Sequence, residues 1–132
     1  MDEKFMMMRE KAIEVMGKAY APYSKFHVGA CLITDKGSYF SGCNCENASY
    51  GLTQCAEASA IGAMVSAGQR VIRAIWIVGS GKSVCTPCGA CRQRILEFAT
   101  PQTVVYMSSQ SGKTKCVNFN ELMPMPFDLQ SD

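Results

Sequence analysis

Apolar residues in the first part of the chain first recur with a helical period and then form a continuous, partly β-branched run. In residues 3–20 they recur every three or four positions, which predicts an amphipathic helix. These apolar positions are Phe5, Met8, Ala12, Ile13, Met16 and Tyr20. Pro22 and Ser24 interrupt the pattern. Residues 27–34 (HVGACLIT) then predict a buried strand, which the turn TDKG connects to a returning strand at residues 38–45.

Helical and strand patterns alternate in the second half of the chain. An alanine-rich segment, small enough to be buried on most sides, predicts the second helix, and a β-branched run (VIRAIWIV) predicts the third strand. The predicted elements are helices at 53–66 and 89–99, strands at 71–78, 103–107 and 115–118, and a short helix at 119–123. This order predicts an α/β fold, a layered sheet with helices on both faces.

Composition narrows the class of protein. The 132 residues fit one compact domain, residues 1–132, and 48% apolar with 18% charged residues is an ordinary globular balance. A net charge of +2 without runs of like charge argues against a polymeric nucleic acid partner. We expect no signal peptide and no membrane span, because no apolar run is long enough. The expected location is the cytoplasm, where cysteines stay reduced.

Three cysteines with equal spacing stand in the stretch SVCTPCGACRQ, at Cys85, Cys88 and Cys91. An iron–sulfur cluster of the bacterial ferredoxin type would need a fourth cysteine where Ile95 stands, and it would need a proline after it. A thioredoxin-like redox pair also uses C-x-x-C at the start of a helix. These three cysteines by themselves therefore do not distinguish a redox function from metal binding.

An upstream motif, TQCAEAS, favours a metal. Cys55 and Glu57 form Cys-x-Glu, and Pro87 precedes Cys88, so the two segments together match the zinc deaminase signature in its three-cysteine form. Three protein ligands leave one position of a zinc ion open, whereas four would close it. A carboxylate outside the metal shell is then available to transfer protons, and Glu57 is the candidate.

The spacing of Cys55 and Glu57 raises a geometric difficulty, because residues two apart on a helix do not face each other. The difficulty disappears if Cys55 lies just before the first turn, where the backbone is not yet helical. Cys88 is predicted to begin the next helix in the same way, with Cys91 one turn later on the same face. Both helix N-termini would then favour ionised sulfur. Cys85 is left over.

These motifs resemble the cytidine deaminase family, specifically its small homotetrameric type. The similarity covers nearly the whole chain, in PYSKFHVGA, GCNCENASYGLTQCAE, TPCGACRQ and ELMPMPF. It implies a three-layer α-β-α sandwich with a mixed sheet of about five strands. It also implies hydrolysis of cytidine and deoxycytidine to uridine, deoxyuridine and ammonia, as in pyrimidine salvage. One Zn²⁺ per subunit would be held by Cys55, Cys88 and Cys91, with Glu57 as the catalytic proton shuttle.

The resemblance further implies a set of substrate-binding residues. Phe26 would pack on the pyrimidine, Asn44 and Glu46 would bind the ribose hydroxyls, and the backbone of Ala56 would meet the base. Alternation along a strand agrees, since it places Asn44 and Glu46 on one face. Tyr50 and Phe127 would reach the site of a neighbouring subunit in a homotetramer.

One departure from the family pattern concerns charge. In much of the family an arginine that donates to the thiolates follows the catalytic glutamate, but here Ala58 stands there. Three thiolates on Zn²⁺ leave a net charge of −1, which weakens the metal as a Lewis acid. Arg92 or Arg94, together with the helix N-termini, could compensate, and the sequence does not choose between the two arginines.

The remaining cysteines and the single histidine have simpler interpretations. Free cysteine behaves as a small buried apolar residue, and we expect this of Cys31, Cys43, Cys45 and Cys116. His27 is predicted to be a strand residue, because the metal already has three ligands.

Three other functions remain as alternatives to a nucleoside deaminase. A blasticidin-type antibiotic deaminase is related chemistry on another aminopyrimidine nucleoside. A non-catalytic zinc or redox module would leave Glu57, Asn44 and Glu46 without a purpose. A nucleic-acid editing enzyme would usually present histidine as its first ligand and need a longer substrate groove.

Overall fold

The structure, a computed structural model, describes residues 3–129. Within this range there are three α-helices and five strands, and each predicted helix and strand before residue 119 is present. In chain order they are α1 (Glu3–Met16), β1 (Val28–Thr34), β2 (Tyr39–Cys43), α2 (Ala56–Ser66), β3 (Ile72–Gly79), α3 (Gly89–Phe98), β4 (Ala99–Ser109) and β5 (Thr114–Asn118). Short 3₁₀ turns lie at Tyr50–Leu52 and Phe119–Glu121. The second replaces the short helix expected at 119–123.

The strands form one mixed sheet in the order β2-β1-β3-β4-β5. Only β3 and β4 run parallel, and α3 is the crossover between them. The other neighbours are antiparallel. The predicted three-layer α-β-α sandwich with about five strands is confirmed.

The two faces of the sheet carry separate cores because side chains alternate along each strand. In β1, Cys31 and Ile33 pack towards α1, while Ala30 and Leu32 pack towards α2. Trp76 of β3 is fully buried in the α1 layer and stacks on Tyr106 with ring centroids 4.7 Å apart. The layer of α2 and α3 includes Met64 and Ile95, both fully buried. Burial on both faces of the central strands holds the helices at fixed positions.

Among residues 3–129, no helix combines the length and the apolar character that a bilayer crossing would need.

Helix α1 lies so close to β1 that the strand needs a glycine at position 29. A Cβ there would overlap the carbonyl oxygen of Ala12 and lie 2.8 Å from the backbone nitrogen of Met16. Because backbone atoms cannot move aside cheaply, Gly29→Ala is expected to lower the free energy of unfolding by about 1–3 kcal/mol or more. Urea denaturation followed by circular dichroism measures this.

Gly62 provides the matched control. It is exposed in α2, and a Cβ there would meet nothing within 4 Å. Gly62→Ala is therefore expected to stabilise the protein by about 0.5–1 kcal/mol through helix propensity. Equal stability changes for the two variants would contradict the close packing of α1 on β1.

Candidate active site and metal centre

Three of the eight cysteines come together where α2 and α3 begin. The sulfur atoms of Cys55, Cys88 and Cys91 all lie within 4.8 Å of one another. Zn–S bonds are about 2.3 Å long, so sulfurs at this spacing fit a single ion. Cys85 is not part of this group, which accords with its prediction as the extra cysteine. Within residues 3–129 no further cysteine, histidine or carboxylate joins the three thiols, which fits a zinc ion with an open position.

The backbone explains how cysteines of such different spacing converge. Cys55 is the N-cap residue of α2, with φ −74° and ψ 154°, and Cys88 is the N-cap residue of α3, with φ −68° and ψ 167°. Both are extended, as predicted, and Cys91 follows within the first turn of α3. The two helices therefore present their N-terminal ends to the sulfurs. Partial positive charge at those ends favours thiolates.

Burial and hydrogen bonding act oppositely on these thiols. Burial resists ionisation of Cys88, but donation from the backbone N–H groups of Cys91 and Ala90 and from neighbouring thiols outweighs it, so its pKa is lowered. Burial raises the pKa of Cys55, and burial together with the charge of Glu57 raises that of the fully buried Cys91. Such a set of thiols binds a cation with release of protons.

Glu57 lies in the first turn of α2, beside the sulfurs, and only 5% of it is exposed. Loss of hydration raises its pKa, although its own backbone N–H, the Cys91 thiol and the charge of Arg94 act in the opposite direction. A raised pKa makes a carboxyl group a better proton acceptor, as general acid–base catalysis requires.

A cavity of about 190 Å³ opens over this corner. It combines two of the three clustered sulfurs, a buried carboxyl group and an aromatic side chain. Its lining residues are Phe26, Val28, Asn44, Thr53, Cys55, Ala56, Glu57, Cys85, Thr86 and Cys88. The predicted residues Phe26, Asn44 and Ala56 are thus brought together with Glu57 and two of the sulfurs.

Four lining residues were missed by the sequence reasoning. Val28 follows Phe26 by two positions, so strand alternation could have indicated it. Thr53 and Thr86 each stand two residues before a candidate metal-binding cysteine, which is a weaker signal. Cys85, which the metal motif leaves over, lines the cavity, and its burial and the nearby charge of Glu57 raise its pKa to about 11.

Phe26 is held at the mouth of the cavity by Asn44. The Asn44 side chain accepts a hydrogen bond from the Val28 N–H and donates one to the Phe26 carbonyl oxygen, both at 2.9 Å. The Phe26 ring lies where Gly79 and Gly81 leave room, since a Cβ at Gly79 would be 2.7 Å from its ring. The residue before Phe26, Lys25, has a left-handed backbone, with φ 61°. This anchoring gives the ring a fixed place.

Glu46 lies near Asn44 but is not among the cavity-lining residues. Its carboxylate accepts hydrogen bonds from the backbone N–H groups of Tyr23 and Ser24, at 3.0 and 3.1 Å, and from the Ser24 hydroxyl. The alternation predicted for this segment is present, since Asn44 and Glu46 are both buried while Cys45 is exposed. It extends past the end of β2, through bridges from Cys45 to Tyr20 and Gln54. Glu46 thus fastens the turn that leads to Phe26.

The Glu46 contacts predict a pH dependence of stability. The Ser24 hydroxyl, followed by the backbone N–H groups, holds the pKa of Glu46 below the usual 4.5. A lowered folded-state pKa contributes stability that is complete above the unfolded value and is lost as pH falls through the folded value. The stability advantage of wild type over Glu46→Gln should therefore shrink below about pH 4.5. Urea midpoints from pH 7 to 3, with chelator present, measure it.

Ser24→Ala is the matched variant for this prediction, because it removes only the hydroxyl donor. Ser24→Ala should weaken the dependence of stability on pH in the acid range without abolishing it, because the backbone N–H groups of Tyr23 and Ser24 still donate to Glu46. If the stability advantage of wild type over Glu46→Gln stayed constant down to pH 3, the pH dependence could not be assigned to the Glu46 carboxylate.

Tyr50 and Phe127 do not line the cavity of their own chain. They are 70% and 68% exposed, and Tyr50 makes an edge contact with Tyr23, ring centroids 6.0 Å apart. Phe127 lies beside α3, where its carbonyl oxygen accepts a hydrogen bond from Gln93.

The structure distinguishes the two arginines that the sequence left open. Arg94 donates from Nη1 to the Cys91 sulfur at 3.4 Å. Arg92 instead donates to the carbonyl oxygens of Pro87 and Leu122, at 2.9 and 3.2 Å. Arg92 therefore braces the loop before Cys88, whereas Arg94 contacts one of the three clustered sulfurs directly.

The expectation for the other cysteines is only partly right. Cys31 is fully buried, and burial raises its pKa to about 12. Cys43 is half-buried, whereas Cys45 and Cys116 are exposed, so the prediction that they are buried is wrong for those two. Cys45 alternates outwards between buried neighbours, and Cys116 lies on the edge strand β5, where no further strand covers it. His27 immediately precedes β1, and its backbone bonds to Ser80.

Comparison with known proteins agrees with this geometry. A family model described as "Cytidine and deoxycytidylate deaminase zinc-binding region" matches residues 1–107. A cytidine deaminase of Halalkalibacterium halodurans is 43% identical over 124 residues, which cover 94% of each chain. One from Sporosarcina psychrophila is 40% identical over 128 residues, 97% of this chain and 92% of that one.

Structural comparison leads to the same group. The crystal structure of cytidine deaminase from Burkholderia pseudomallei superposes with a TM-score of 0.89 at 41% identity, covering 96% of this chain and all of that one. A blasticidin-S deaminase of Bacillus cereus is more distant, at 35% identity over 112 residues and 79% of each chain. Family model, relatives and fold agree, and the chain belongs to the cytidine and deoxycytidylate deaminase family.

Proposed function

We propose that the protein catalyses the zinc-dependent hydrolytic deamination of cytidine and deoxycytidine to uridine and deoxyuridine, with release of ammonia. The observation that carries this proposal is the group of three sulfurs within 4.8 Å of one another beside the buried Glu57, at one end of a cavity. Such a reaction serves pyrimidine salvage.

Cys55, Cys88 and Cys91 are the residues that hold the zinc ion in this proposal. When bound, zinc with three protein ligands supplies the Lewis acidity that makes water a usable nucleophile near neutral pH. Cys55 and Cys88 line the cavity, whereas Cys91 is fully buried and is not among its lining residues.

Glu57 transfers the protons. Its carboxylate takes a proton from the attacking water and delivers it to ring nitrogen N3, as the water oxygen bonds to C4. The second water proton then goes by the same carboxyl to the amino group, the C4–N4 bond breaks, and ammonia leaves. Glu57 ends in its starting state, and its burial excludes competing bulk water from the transfer.

The cavity residues orient the nucleoside. Phe26 supplies an aromatic face for the pyrimidine, and the backbone of Ala56 meets the base. Asn44 uses one N–H and one acceptor site on the backbone of Phe26 and Val28, which leaves a second N–H and a second lone pair for a ribose hydroxyl. Glu46 likewise keeps acceptor capacity beyond the turn it binds.

We further propose that the chain is a single cytidine deaminase-type domain over residues 1–132 that works in the cytoplasm as a homotetramer. Tyr50 and Phe127, exposed in the single chain, complete a neighbouring subunit's site. Analytical ultracentrifugation tests this, with four chains per particle expected. Tyr50→Ala should raise KM without changing zinc content.

One spectroscopic assay tests the function. Loss of cytidine absorbance is followed for purified wild type and for metal-stripped protein, before and after Zn²⁺ is restored. Activity that disappears with the metal and returns with it supports the proposal, and inactivity of zinc-loaded wild type on both nucleosides refutes it. Blasticidin S is the comparison substrate, because of the 35% identity with a deaminase of that compound.

A further inference from the structure

The charge of the metal-binding group requires a partner. Three thiolates carry −3, and a divalent cation leaves −1 at a place where Cys91 is fully buried. An uncompensated charge in partly buried surroundings is costly, because solvent no longer stabilises it. Electron donation from three thiolates also lowers the Lewis acidity of the metal.

Arg94 is positioned to supply the compensating charge. It lies on α3, three residues and about one turn after Cys91, so the two side chains share a helix face. Its Nη1 donates to the Cys91 sulfur at 3.4 Å. The charge of Arg94 also acts on Cys55, Cys88 and Glu57.

The nearby alternatives are engaged elsewhere or lack charge. Arg92 is committed to two backbone carbonyl oxygens, that of Pro87 in the loop before α3 and that of Leu122. Ala58, which follows Glu57, is buried and carries no donor.

We propose that Arg94 is a positioning residue that neutralises the zinc–thiolate group through the Cys91 sulfur and thereby maintains both zinc affinity and the Lewis acidity of the metal. This inference rests on the proposed zinc-dependent function. Arg94 touches neither substrate nor the reacting atoms. By donating to the Cys91 sulfur, Arg94 would limit the electron donation from that sulfur to the zinc ion, and the ion would keep more of its Lewis acidity.

Arg94→Met and Arg94→Lys test the inference, since methionine removes charge and donor whereas lysine retains both in another geometry. Arg73→Met is the control, because Arg73 is exposed on β3 and the variant loses the same charge. Zinc affinity is measured by chelator competition, and kcat and KM are measured on cytidine. For Arg94→Met we expect zinc affinity and kcat each to fall by about 10–100-fold, with KM little changed.

A spectroscopic readout separates tuning of the metal from simple loss of structure. In the Co²⁺-substituted proteins, loss of the hydrogen bond to Cys91 should shift the thiolate-to-metal charge-transfer band to lower energy. Arg94→Lys should restore part of the affinity and of the band position, and Arg73→Met should match wild type in both. Circular dichroism establishes that each variant is folded.

The inference is overturned if Arg94→Met binds zinc and shows the cobalt band as wild type does, or if Arg94→Lys is no better than Arg94→Met. Failure of the proposed function gives a different result, because zinc-loaded wild type would then be inactive while the differences in metal affinity and band position persist.

Discussion

Glu57→Gln is expected to lower kcat for cytidine by about 10²–10⁴-fold while the protein keeps its zinc and its fold. Glutamine has the size and hydrogen-bonding shape of the buried carboxyl group, but it cannot carry a proton between water and the base. The three sulfurs are unchanged, so metal content should stay near one ion per chain. Steady-state kinetics and metal analysis on the same preparation measure the two quantities.

Glu97→Gln is the control, because Glu97 is an exposed glutamate on α3 outside the cavity. It loses the same charge and should retain wild-type kcat. Full activity in Glu57→Gln would remove the proposed mechanism. Loss of zinc from that variant would instead give the carboxyl group a role in holding the metal.

Cys88→Ser is expected to remove the zinc and with it the activity, by ~10³-fold or more. A serine hydroxyl does not ionise at neutral pH, so the site is reduced to two thiolates and the affinity for the metal falls sharply. Cys88 is the suitable ligand to change because it is exposed, whereas Cys91 is fully buried and its replacement would also disturb the core. Metal analysis after dialysis and the cytidine assay give the result.

Cys116→Ser serves as the matched control, because it replaces an exposed cysteine on the edge strand β5. It should keep both zinc and activity. Zinc at one ion per chain in Cys88→Ser would contradict the ligand set. If both variants lost zinc and activity to a similar extent, the protein would be sensitive to the replacement of any cysteine, and Cys88 would not be identified as a ligand.

The local geometry of each cysteine motif was predictable because it is set at a helix start, whereas the meeting of the two motifs depends on how α2 and α3 pack. Cys55 and Cys88 act through the backbone at helix starts, and Cys91 follows at a helical spacing, so short segments of sequence determine how each sulfur points. The signal for Glu57 is different, since an acid in an alanine-rich helix is costly to bury without a function, and the structure does bury it.

Element ends were less predictable, because distant partners set them. Helix α1 ends at Met16 rather than Tyr20, since the backbone of Tyr20 bonds to Asn44 and Glu46 instead. Strand β4 begins at Ala99 rather than residue 103, because Ala99 pairs with Ile72 of the parallel strand β3. In both cases the bonding partner lies far away in the sequence, so the pattern of apolar residues around the element end does not indicate it.

By itself the sequence determined the order of helices and strands, the three sulfurs and the acid beside them, because periodicity and helix-start chemistry act over a few residues. Only the tertiary structure decided that Arg94 rather than Arg92 reaches Cys91, that Asn44 and Glu46 anchor the segment carrying Phe26, and that Cys45 faces outwards. Those outcomes depend on which side chains from distant segments meet once two cores have packed on one sheet. Contacts of this kind depend on tertiary packing, and the spacing of residues within one segment does not predict them.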